Sequence, residues 1–173
     1  IVKSNNDSNW QGAGIIVEKD KSVEWKIDGV EGDALHRLGE GTLIVNGTGV
    51  NKGDLNTGDG VTILAQQADE HGNVQAFNSV RIVSGRSKVV LADSKQVNAD
   101  NILWGFRGGE LDVNGNDLIF NRIRATDYGA ILNNSSSQTA NITFNSDKKN
   151  YIFHGKIEGN IDLFNEAPLA YED

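Results

Sequence analysis

Very short apolar runs that recur along the chain are the feature that most limits how it can fold. In GEGTLIVNGTGVNKGDLNTGDGVTIL, residues 39 to 64, the runs Leu43–Val45 and Val61–Leu64 are separated by a stretch rich in Gly, Asn and Asp. Apolar runs of this length bounded by turn residues are typical of β-strands. The same pattern predicts further strands at Ile15–Val17, Val23–Ile27, Val80–Val83, Val89–Leu91, Ile102–Phe106, Leu111–Val113, Leu118–Phe120, Ala130–Leu132, Ile142–Phe144, Tyr151–Phe153 and Ile161–Phe164.

Spacing between the runs favours a coil of strands stacked on itself. Two series of apolar residues recur about every twenty positions, which is a repeat length typical of a solenoid. These series are Leu43, Ile63 and Ile82, followed by Leu91, Leu111 and Ile131. In a parallel β-helix each strand pairs with its equivalent one turn of the coil away. The pattern therefore predicts an all-β protein with the architecture of a parallel β-helix.

A β-sandwich is the alternative fold, because its strands also follow one another closely in sequence. Sandwich strands are usually longer and alternate between apolar and polar residues, whereas many of these runs have only three residues. Gly32–Leu38 is the nearest candidate for a helix, and it spans one or two helical turns at most. The glycines and asparagines are expected at the corners of the coil, where left-handed backbone conformation is needed.

Composition excludes several classes of function. The 173 residues include no cysteine and no methionine, and the formal net charge is −8. Disulfides, zinc–thiolate sites and cysteine nucleophiles are thereby excluded, and the negative charge argues against nucleic acid and anionic membranes as partners. The adjacent lysines Lys148–Lys149 are too few for a phosphate-binding surface. No apolar run reaches membrane-spanning length, and a chain that begins at Ile1 is expected to be a piece of a longer protein.

The candidates for chemistry among histidine, aspartate and serine residues are weak. His36, Asp59 and Ser84 carry the side chains of a nucleophilic triad but lack a local sequence that would activate the serine. The histidines His36, His71 and His154 lie far apart and form neither an HxH nor an HExxH pattern, so no metal site is predicted. Asp–Gly and Asn–Gly pairs occur without the nine-residue repeat of calcium-binding β-rolls. No catalytic, cofactor-binding or metal-binding residue is assigned.

Carboxylates are the remaining candidates, because some parallel β-helices are enzymes that act on polysaccharides with acid and base carboxylates. Asp93, Asp112 and Asp127 would be members of such a row on one face. The competing interpretation is that these aspartates form turns at the corners of the coil.

Two local segments predict exposed or buried features. In WGFRGG, Trp104 and Phe106 have the same parity on a strand and are expected to face the coil interior together as an aromatic ladder. The alternative is an exposed aromatic strip for a glycan or protein partner. Arg107 is expected to point outward, with Asp112 as a partner of modest energy. The polar segment NSSSQT, Asn134–Thr139, is expected to be a protruding loop, where partner binding can vary.

Longer stretches of the chain resemble a known family. They are DALHRLGEGTLIVNGTGVNKGDLNTGDGVTILAQQADEHGNVQAF and SGRSKVVLADSKQVNADNILWGFRGGELDVNGNDLIFNRIRATDYGAILNN. Both resemble the passenger of serine protease autotransporters, secreted virulence proteases of enteric Gram-negative bacteria related to the IgA-protease family. The resemblance depends on unusual strings in fixed order, namely GEGTL, GDG, QQAD, VVLAD, FRGG, LDVNGN and DYGA. It runs from about Trp10 to Asn134 and is looser over residues 135–173, where YIFHGKIEGNIDL is similar to a rung ending of such stems.

The resemblance implies that residues 1–173 form one segment of a right-handed β-helical stem. By family, that stem follows an N-terminal protease domain and precedes a C-terminal translocator barrel. The family's serine lies in a GDSGSP-like string, which this chain lacks; GDG at 58–60 and VSGRS at 83–87 are its nearest imitations. The segment itself is therefore expected to be non-catalytic, with the parent a serine endopeptidase. The expected location is secreted or on the surface of a Gram-negative bacterium, after a transient passage through the periplasm, and the absence of cysteine suits export through a narrow pore.

The sequence thus predicts a stem segment that acts as a rigid scaffold and spacer for the upstream protease and assists folding-coupled secretion. Its expected partners are the upstream protease domain and neighbouring rungs of the same chain, with host protein substrates bound by the parent. The alternative is an adhesive or self-associating surface for host cells or glycans, and a carbohydrate-active enzyme is the third interpretation. Open strand edges would let the isolated fragment associate end to end. No cofactor, no nucleic acid partner and no membrane-embedded segment are expected.

Overall fold

The computed structural model describes residues 1–4, 9–145 and 152–165, and the described part of the chain is built almost entirely from short β-strands. A single turn of 3-10 helix, Ala99–Asn101, is the exception. The strands are β1 (Ala13–Ile16), β2 (Ser22–Trp25), β3 (Ala34–Leu38), β4 (Thr42–Val45), β5 (Asp54–Thr57), β6 (Gly60–Leu64), β7 (Val80–Ile82), β8 (Ser87–Leu91), β9 (Ile102–Trp104), β10 (Gly109–Asp112), β11 (Leu118–Phe120), β12 (Arg124–Ala125), β13 (Ala130–Asn134), β14 (Ala140–Phe144), β15 (Ile152–Phe153), β16 (Lys156–Gly159) and β17 (Ile161–Asn165).

The strands stack in three parallel series, which form the three faces of a coil. The first face contains β1, β3, β5, β7 and β9 in order, and the second contains β2, β4, β6, β8, β10, β13 and β16. β12 packs against β9 and pairs with β15, so these two strands continue the first face. The third face contains β11, β14 and β17. Each pairing joins strands one turn, or rung, apart, and the predicted right-handed parallel β-helix is confirmed.

The strand register gives the length of each rung. Thr42 pairs with Val61, a spacing of 19 residues, whereas Gly60 pairs with Ser87, a spacing of 27 residues. Stacked strands of a sheet lie about 4.8 Å apart whatever the spacing in sequence. The prediction of rungs of roughly twenty residues is therefore confirmed, and the extra residues of the longest rung must leave the coil between two strands.

The predicted vertical series of apolar residues was wrong in detail. Leu43 lies beside Thr62, not Ile63, and Ile82 lies on the first face, in β7. The reason is that the second face carries half-buried apolar side chains on its outer surface as well as buried ones inside. Ile44 pairs with Ile63 on that outer surface. Apolar spacing alone does not distinguish two registers that differ by one residue.

The second series fails for the same reason. Leu111 pairs with Val89 on one side and with Leu132 on the other. It does not pair with Leu91 or Ile131, although all of these residues are apolar.

Most predicted apolar runs lie in strands, and two corrections concern the first face. The helical candidate Gly32–Leu38 contains β3, which pairs with β1 and β5. The strand predicted at Ile102–Phe106 ends at Trp104. Three strands were missed because each holds a single apolar residue: β5 (DLNT), β12 (RA) and β16 (KIEG). Tyr151 of the predicted strand Tyr151–Phe153, like Lys148–Lys149, lies outside the described residues.

Alternate side chains of each strand fill the interior of the coil. Fully burying one Leu, Val or Ile side chain contributes about 1.5–3 kcal/mol relative to leaving it exposed, so these ladders are the main source of stability. On the first face one buried ladder is Leu35, Leu55, Val80 and Ile102. On the second face, the corresponding buried ladder is Leu43, Thr62, Val89, Leu111 and Leu132.

Glycine is required where the chain turns between the first and second faces. Gly39 has φ of 88°, and a Cβ atom there would lie 2.2 Å from the carbonyl oxygen of Val17. Gly108 has φ of 75°, and its Cβ would lie 2.4 Å from the carbonyl carbon of Gly129. Both the backbone conformation and the close approach of the neighbouring rung exclude a side chain at these corners. This confirms that glycines lie at corners of the coil.

Buried amide side chains satisfy the backbone where the third face lacks strands. Asn51 accepts hydrogen bonds from the backbone N–H groups of Gly29 and Gly53, at 2.8 and 2.9 Å. Gln96 accepts from the backbone N–H of Gln66 at 2.8 Å and donates to its carbonyl at 3.1 Å. A buried backbone group without a partner is costly. The amides therefore supplement the isolated backbone bridges that join the early rungs on this face.

Trp10 fills the interior at the beginning of the coil. Its indole lies where the Cβ atoms of Gly29 and Gly53 would be, at 2.3 Å and 2.6 Å from the nearest ring atoms. The indole Nε1 donates a hydrogen bond to the carbonyl of Ile27 at 3.0 Å. The two glycines therefore provide the space that the ring occupies.

Arg37 is a fully buried charged residue near the end of β3, next to the corner between the first and second faces. Its guanidinium group donates to the hydroxyl of Thr62 at 3.1 Å and to the carbonyl oxygens of Leu38, Gly39, Gly41 and Val61. Burial lowers the pKa of Arg37, and the charge of Asp59 offsets part of this effect. The group stays charged, because an arginine guanidinium is not deprotonated in proteins. Arg37 thus joins two rungs through backbone carbonyl groups.

Candidate functional site on the outer faces of the coil

The three aspartates considered as a carboxylate row do not stack. Asp112 has Val90 and Asn133 as its neighbours in the adjacent rungs. Asp93 and Asp127 each accept a hydrogen bond from the backbone N–H two residues later, at 2.8 and 2.7 Å. Such bonds are typical of turns. The corner interpretation therefore describes Asp93 and Asp127, and the row is wrong.

Asp112 is the most buried carboxylate of the second face. It accepts hydrogen bonds from the Ser135 hydroxyl at 2.6 Å and from the backbone N–H groups of Ser135 and Asn114 at 3.1 and 2.9 Å. Burial raises the pKa of Asp112, but these bonds and the charge of Lys88, 3.6 Å away, bring it below its ordinary value. Lys88 also pairs with Glu110 at 3.2 Å. A general acid at neutral pH needs the opposite shift, so this geometry is that of a structural carboxylate.

The triad candidates are not brought together. His36 is exposed on β3, with Asn56 as its rung neighbour. Asp59 lies 3.7 Å from the guanidinium group of Arg86, and the Ser84 hydroxyl accepts from the backbone N–H of Arg86 at 3.3 Å. Within residues 1–4, 9–145 and 152–165, no hydrogen bond or ion pair joins any two of the three candidates. A nucleophile requires its base within hydrogen-bond distance.

The other histidines are also surface residues. His71 lies in a turn beside Glu70, with 3.3 Å between the side chains. His154 stacks on Tyr128, with ring centroids 5.7 Å apart and ring planes at 14°. In the part of the chain that the structure describes, no three His, Asp or Glu residues are grouped in a way that would hold a metal ion.

Trp104 and Phe106 face opposite ways, contrary to the prediction from their parity. Trp104 is buried and its ring meets that of Phe153 edge to face at 5.8 Å, whereas Phe106 is 89% exposed. The strand ends at Trp104, and residues 105–108 form a turn closed by an antiparallel bridge. Strand parity does not extend into a turn. The alternative of an exposed aromatic strip is therefore the one that Phe106 favours.

Arg107 points outward as predicted, but its predicted partner was wrong. Asp112 is bound to Lys88 and to the Ser135 segment on the second face. Arg107 lies in the turn before that face and is exposed.

The polar segment Asn134–Thr139 begins with a buried residue and not with a loop. Asn134 is 2% exposed and belongs to β13. Its amide donates to the carbonyls of Gln138 and Asn160, both at 2.8 Å, and accepts from the backbone N–H of Gly115 at 2.7 Å. The side chain therefore links three successive rungs. The following residues also contact neighbouring rungs, since Ser135 donates to Asp112 and the carbonyl of Ser137 accepts from Asn160, so the predicted protruding loop was wrong.

The first face and the corners beside it carry a set of exposed arginines that sequence inspection missed. We call this set the arginine face, and it consists of Arg81, Arg86, Arg107, Arg122 and Arg124. These residues are separated by up to 43 positions, from 81 to 124, and no sequence motif connects them. Only the register brings them onto neighbouring rungs.

The chain is similar to several autotransporter proteins. The Shigella flexneri serine protease SepA autotransporter is 58% identical over 142 residues, or 82% of this chain and 10% of the relative. The IgA-specific serine endopeptidase autotransporter of Neisseria gonorrhoeae is 52% identical over 83% of this chain and 9% of the relative. The crystal structure of the Haemophilus influenzae Hap adhesin matches with a TM-score of 0.87 and 40% identity, over 94% of this chain and 20% of that one. No protein-family model matches the chain.

The chain spans about a tenth of the length of the curated relatives that it matches. Among the described residues, no helix has the length and apolar character needed to cross a membrane. The expected secreted or surface location on a Gram-negative bacterium agrees with relatives of this kind. High identity over most of the chain and a closely matching solenoid lead to one assignment. The chain is a β-helical segment of the type found in the passengers of serine protease autotransporters.

Proposed function

We propose that the segment is part of a rigid stem that holds an upstream serine protease domain away from the bacterial surface. The observation that carries this proposal is the unbroken parallel pairing on the second face from β2 to β16. Seven stacked strands at about 4.8 Å per rung give a column roughly 30 Å long without a hinge. In a solenoid each rung stacks directly on its neighbours, so the number of rungs fixes the distance between the two ends.

The same geometry supports a role in export. Each rung that forms outside the cell buries its apolar ladder on the previous rung, as Leu111 does on Val89. Burial of apolar surface is favourable, so stepwise stacking opposes movement of the chain back through the membrane. Host substrates and proteolysis belong, in this proposal, to the domain upstream.

The proposal is tested in the full-length parent with two variants. Leu111→Asp places a charge in the buried ladder and is expected to slow the appearance of the passenger at the cell surface. Deletion of Lys88–Gly109 removes one whole rung, so that Ser87 is followed by Glu110, which is the register equivalent of the deleted Lys88. This deletion keeps the apolar ladder of the second face, where Leu111 takes the place of Val89, but it also removes Gln96, which binds the backbone of Gln66. The passenger is still expected to reach the surface and to keep its surface proteolysis.

Surface labelling followed over time measures both variants. If the Leu111→Asp passenger reached the surface at the parental rate, the export role would be lost. If the deleted rung abolished surface proteolysis although the passenger was displayed, a simple spacer would be the wrong description.

We also infer that the isolated segment associates end to end. In the last described rung, Leu163 and Phe164 are 47% and 48% exposed, and β17 pairs with β14 on one side only. Unpaired strand edges invite pairing with another chain. Sedimentation at increasing concentration is expected to show a growing dimer fraction that Leu163→Lys reduces. A segment that stays monomeric at high concentration contradicts this inference.

A further inference from the structure

All exposed arginines of the chain lie on one side of the coil. The sequence contains six arginines, and Arg37 is the buried one. The other five form the arginine face, on strands of the first face or in the corners that flank them. Among the described lysines, by contrast, the two that lie in strands, Lys88 and Lys156, are on the second face, and the others lie in segments between strands.

The register places these arginines on successive rungs. Arg81 lies on β7 beside Leu103 of β9, and Arg124 lies on β12, which packs against β9. Two rungs separate Arg81 from Arg124, a distance of about 10 Å along the axis. Arg107 follows β9 in the corner toward the second face, and Arg86 lies in the equivalent corner one rung earlier.

Negative charges compensate this face only in part. The strands β7, β9 and β12 contain no acidic residue. The corner carboxylate of Asp100 accepts hydrogen bonds from the backbone N–H groups of Asn121 and Arg122, and that of Asp127 accepts from Gly129.

Most guanidinium groups of the arginine face are available for a ligand. The ion pair formed there is between Arg86 and Asp59, at 3.7 Å, and the Arg86 side chain is still 77% exposed. Over the described residues, the side chains of Arg81, Arg107 and Arg124 have neither a hydrogen bond nor an ion pair. Five positive charges thus face solvent on a chain whose net charge is −8.

Exposed aromatic rings border the same face. Phe106 is 89% exposed beside Arg107, and Tyr128, in the next rung, is 79% exposed. Tyr128 stacks on His154, which extends the strip by a further rung. Aromatic faces pack against flat apolar surfaces, and guanidinium groups bind planar anionic groups through two parallel hydrogen bonds.

We propose that the arginine face, with Phe106 and Tyr128, binds an extended anionic polysaccharide that carries sulfate or carboxylate groups. The positive charges supply complementarity to the anionic groups, and the rings supply surfaces for the sugar rings. A passenger segment outside the cell meets such polymers. The rest of its surface is negatively charged and repels polyanions, so binding is confined to the arginine face. This inference goes beyond the stem role and does not depend on it.

Binding of heparin by the secreted passenger that contains this chain tests the proposal. The wild-type passenger is expected to bind immobilised heparin at 150 mM NaCl, with an affinity that falls steeply as salt rises. Arg81→Gln, Arg107→Gln and Arg124→Gln together are expected to weaken binding about tenfold or more, since each removes a charge-assisted contact. Phe106→Ala with Tyr128→Ala is expected to weaken binding and leave the salt dependence unchanged.

The matched control removes three positive charges elsewhere. Lys26→Gln, Lys95→Gln and Lys156→Gln change exposed lysines after β2, between β8 and β9, and on β16 and are expected to alter heparin affinity less than about twofold. Equal losses in the two triple variants would overturn the proposal, because net charge alone would then explain binding. Absence of wild-type binding at 150 mM NaCl would also overturn it.

Further probes distinguish the anionic group and the class of polymer. Retention of hyaluronan, which carries carboxylates alone, would assign the face to uronates; retention of heparin alone would assign it to sulfate. A single-stranded DNA oligonucleotide that bound as tightly as heparin, and lost binding in the arginine variant, would replace the polysaccharide with nucleic acid and overturn the assignment.

Discussion

Replacement of Arg37 by methionine is expected to lower the free energy of unfolding by about 3–5 kcal/mol, because several buried acceptors lose their donor at once. Methionine fills much of the space of the arginine stem. It leaves the Thr62 hydroxyl and four backbone carbonyl oxygens of two rungs without the guanidinium group that binds them. Each buried acceptor without a partner costs about 1–3 kcal/mol before the structure relaxes. Urea unfolding followed by circular dichroism measures the change.

Arg81→Met is the matched control for Arg37→Met. Both residues lie on the first face, but Arg81 is exposed and lacks a side-chain partner among the described residues. Its replacement is expected to change the free energy of unfolding by no more than about 0.5 kcal/mol. If Arg37→Met were as mild as Arg81→Met, the buried guanidinium group would not be what joins the two rungs.

Trp10→Ala is expected to lower the free energy of unfolding by about 3–5 kcal/mol, the usual cost of removing a large buried aromatic ring. The ring lies against Gly29 and Gly53, whose missing side chains provide its space. Gly53→Ala in the parent chain would place a methyl group 2.6 Å from the ring and is expected to be destabilising as well. Both changes are measured by the same unfolding transition.

The combination of the two changes tests whether ring and glycine fit together. In the Trp10→Ala background, the nearest remaining atom to a Cβ at Gly53 is the Gly29 Cα at 3.2 Å instead of the ring at 2.6 Å, so Gly53→Ala is expected to cost less than in the parent. Gly14→Ala is the control, since a Cβ there meets its nearest neighbour at an ordinary 3.7 Å. Strictly additive losses would mean that Trp10 and Gly53 do not share one packing site.

The class of fold was predictable because its cause is local. Short apolar runs such as Val89–Leu91, bounded by Gly, Asn and Asp, specify strands and corners without knowledge of their partners. The register was not predictable from the same information. Leu43 and Ile44 are both apolar and lie on opposite sides of β4, so the sequence does not show which one faces the interior.

The wrong predictions of side-chain direction concern residues at or beyond the end of a strand. Parity predicts that Trp104 and Phe106 share a side, but the strand ends between them. Likewise the sequence near Asn134 is polar throughout, yet this one amide is buried because it satisfies backbone groups of neighbouring rungs. A polar residue that replaces strand hydrogen bonds has the same local sequence as a polar residue in a loop.

The arginine face was beyond sequence reasoning for a different reason. Arg81, Arg107 and Arg124 are isolated in sequence, and no motif connects them. The overall charge of −8 even argues against a surface for anions. Local charge on one side of a coil becomes visible only once the rungs are aligned, because the net charge averages over every side.

The longest rung has a consequence for how stems of this kind can change in evolution. Gly49 donates its N–H to the carbonyl of Gln67 and accepts a hydrogen bond from the N–H of Gln75. The seven residues from 68 to 74 therefore leave the third face and return to the same partner, while Asp69 closes the excursion through His71 and Asn73. Insertions at such a position do not alter the buried ladders. Related proteins can therefore differ in the loops on their surface while they keep the same coil.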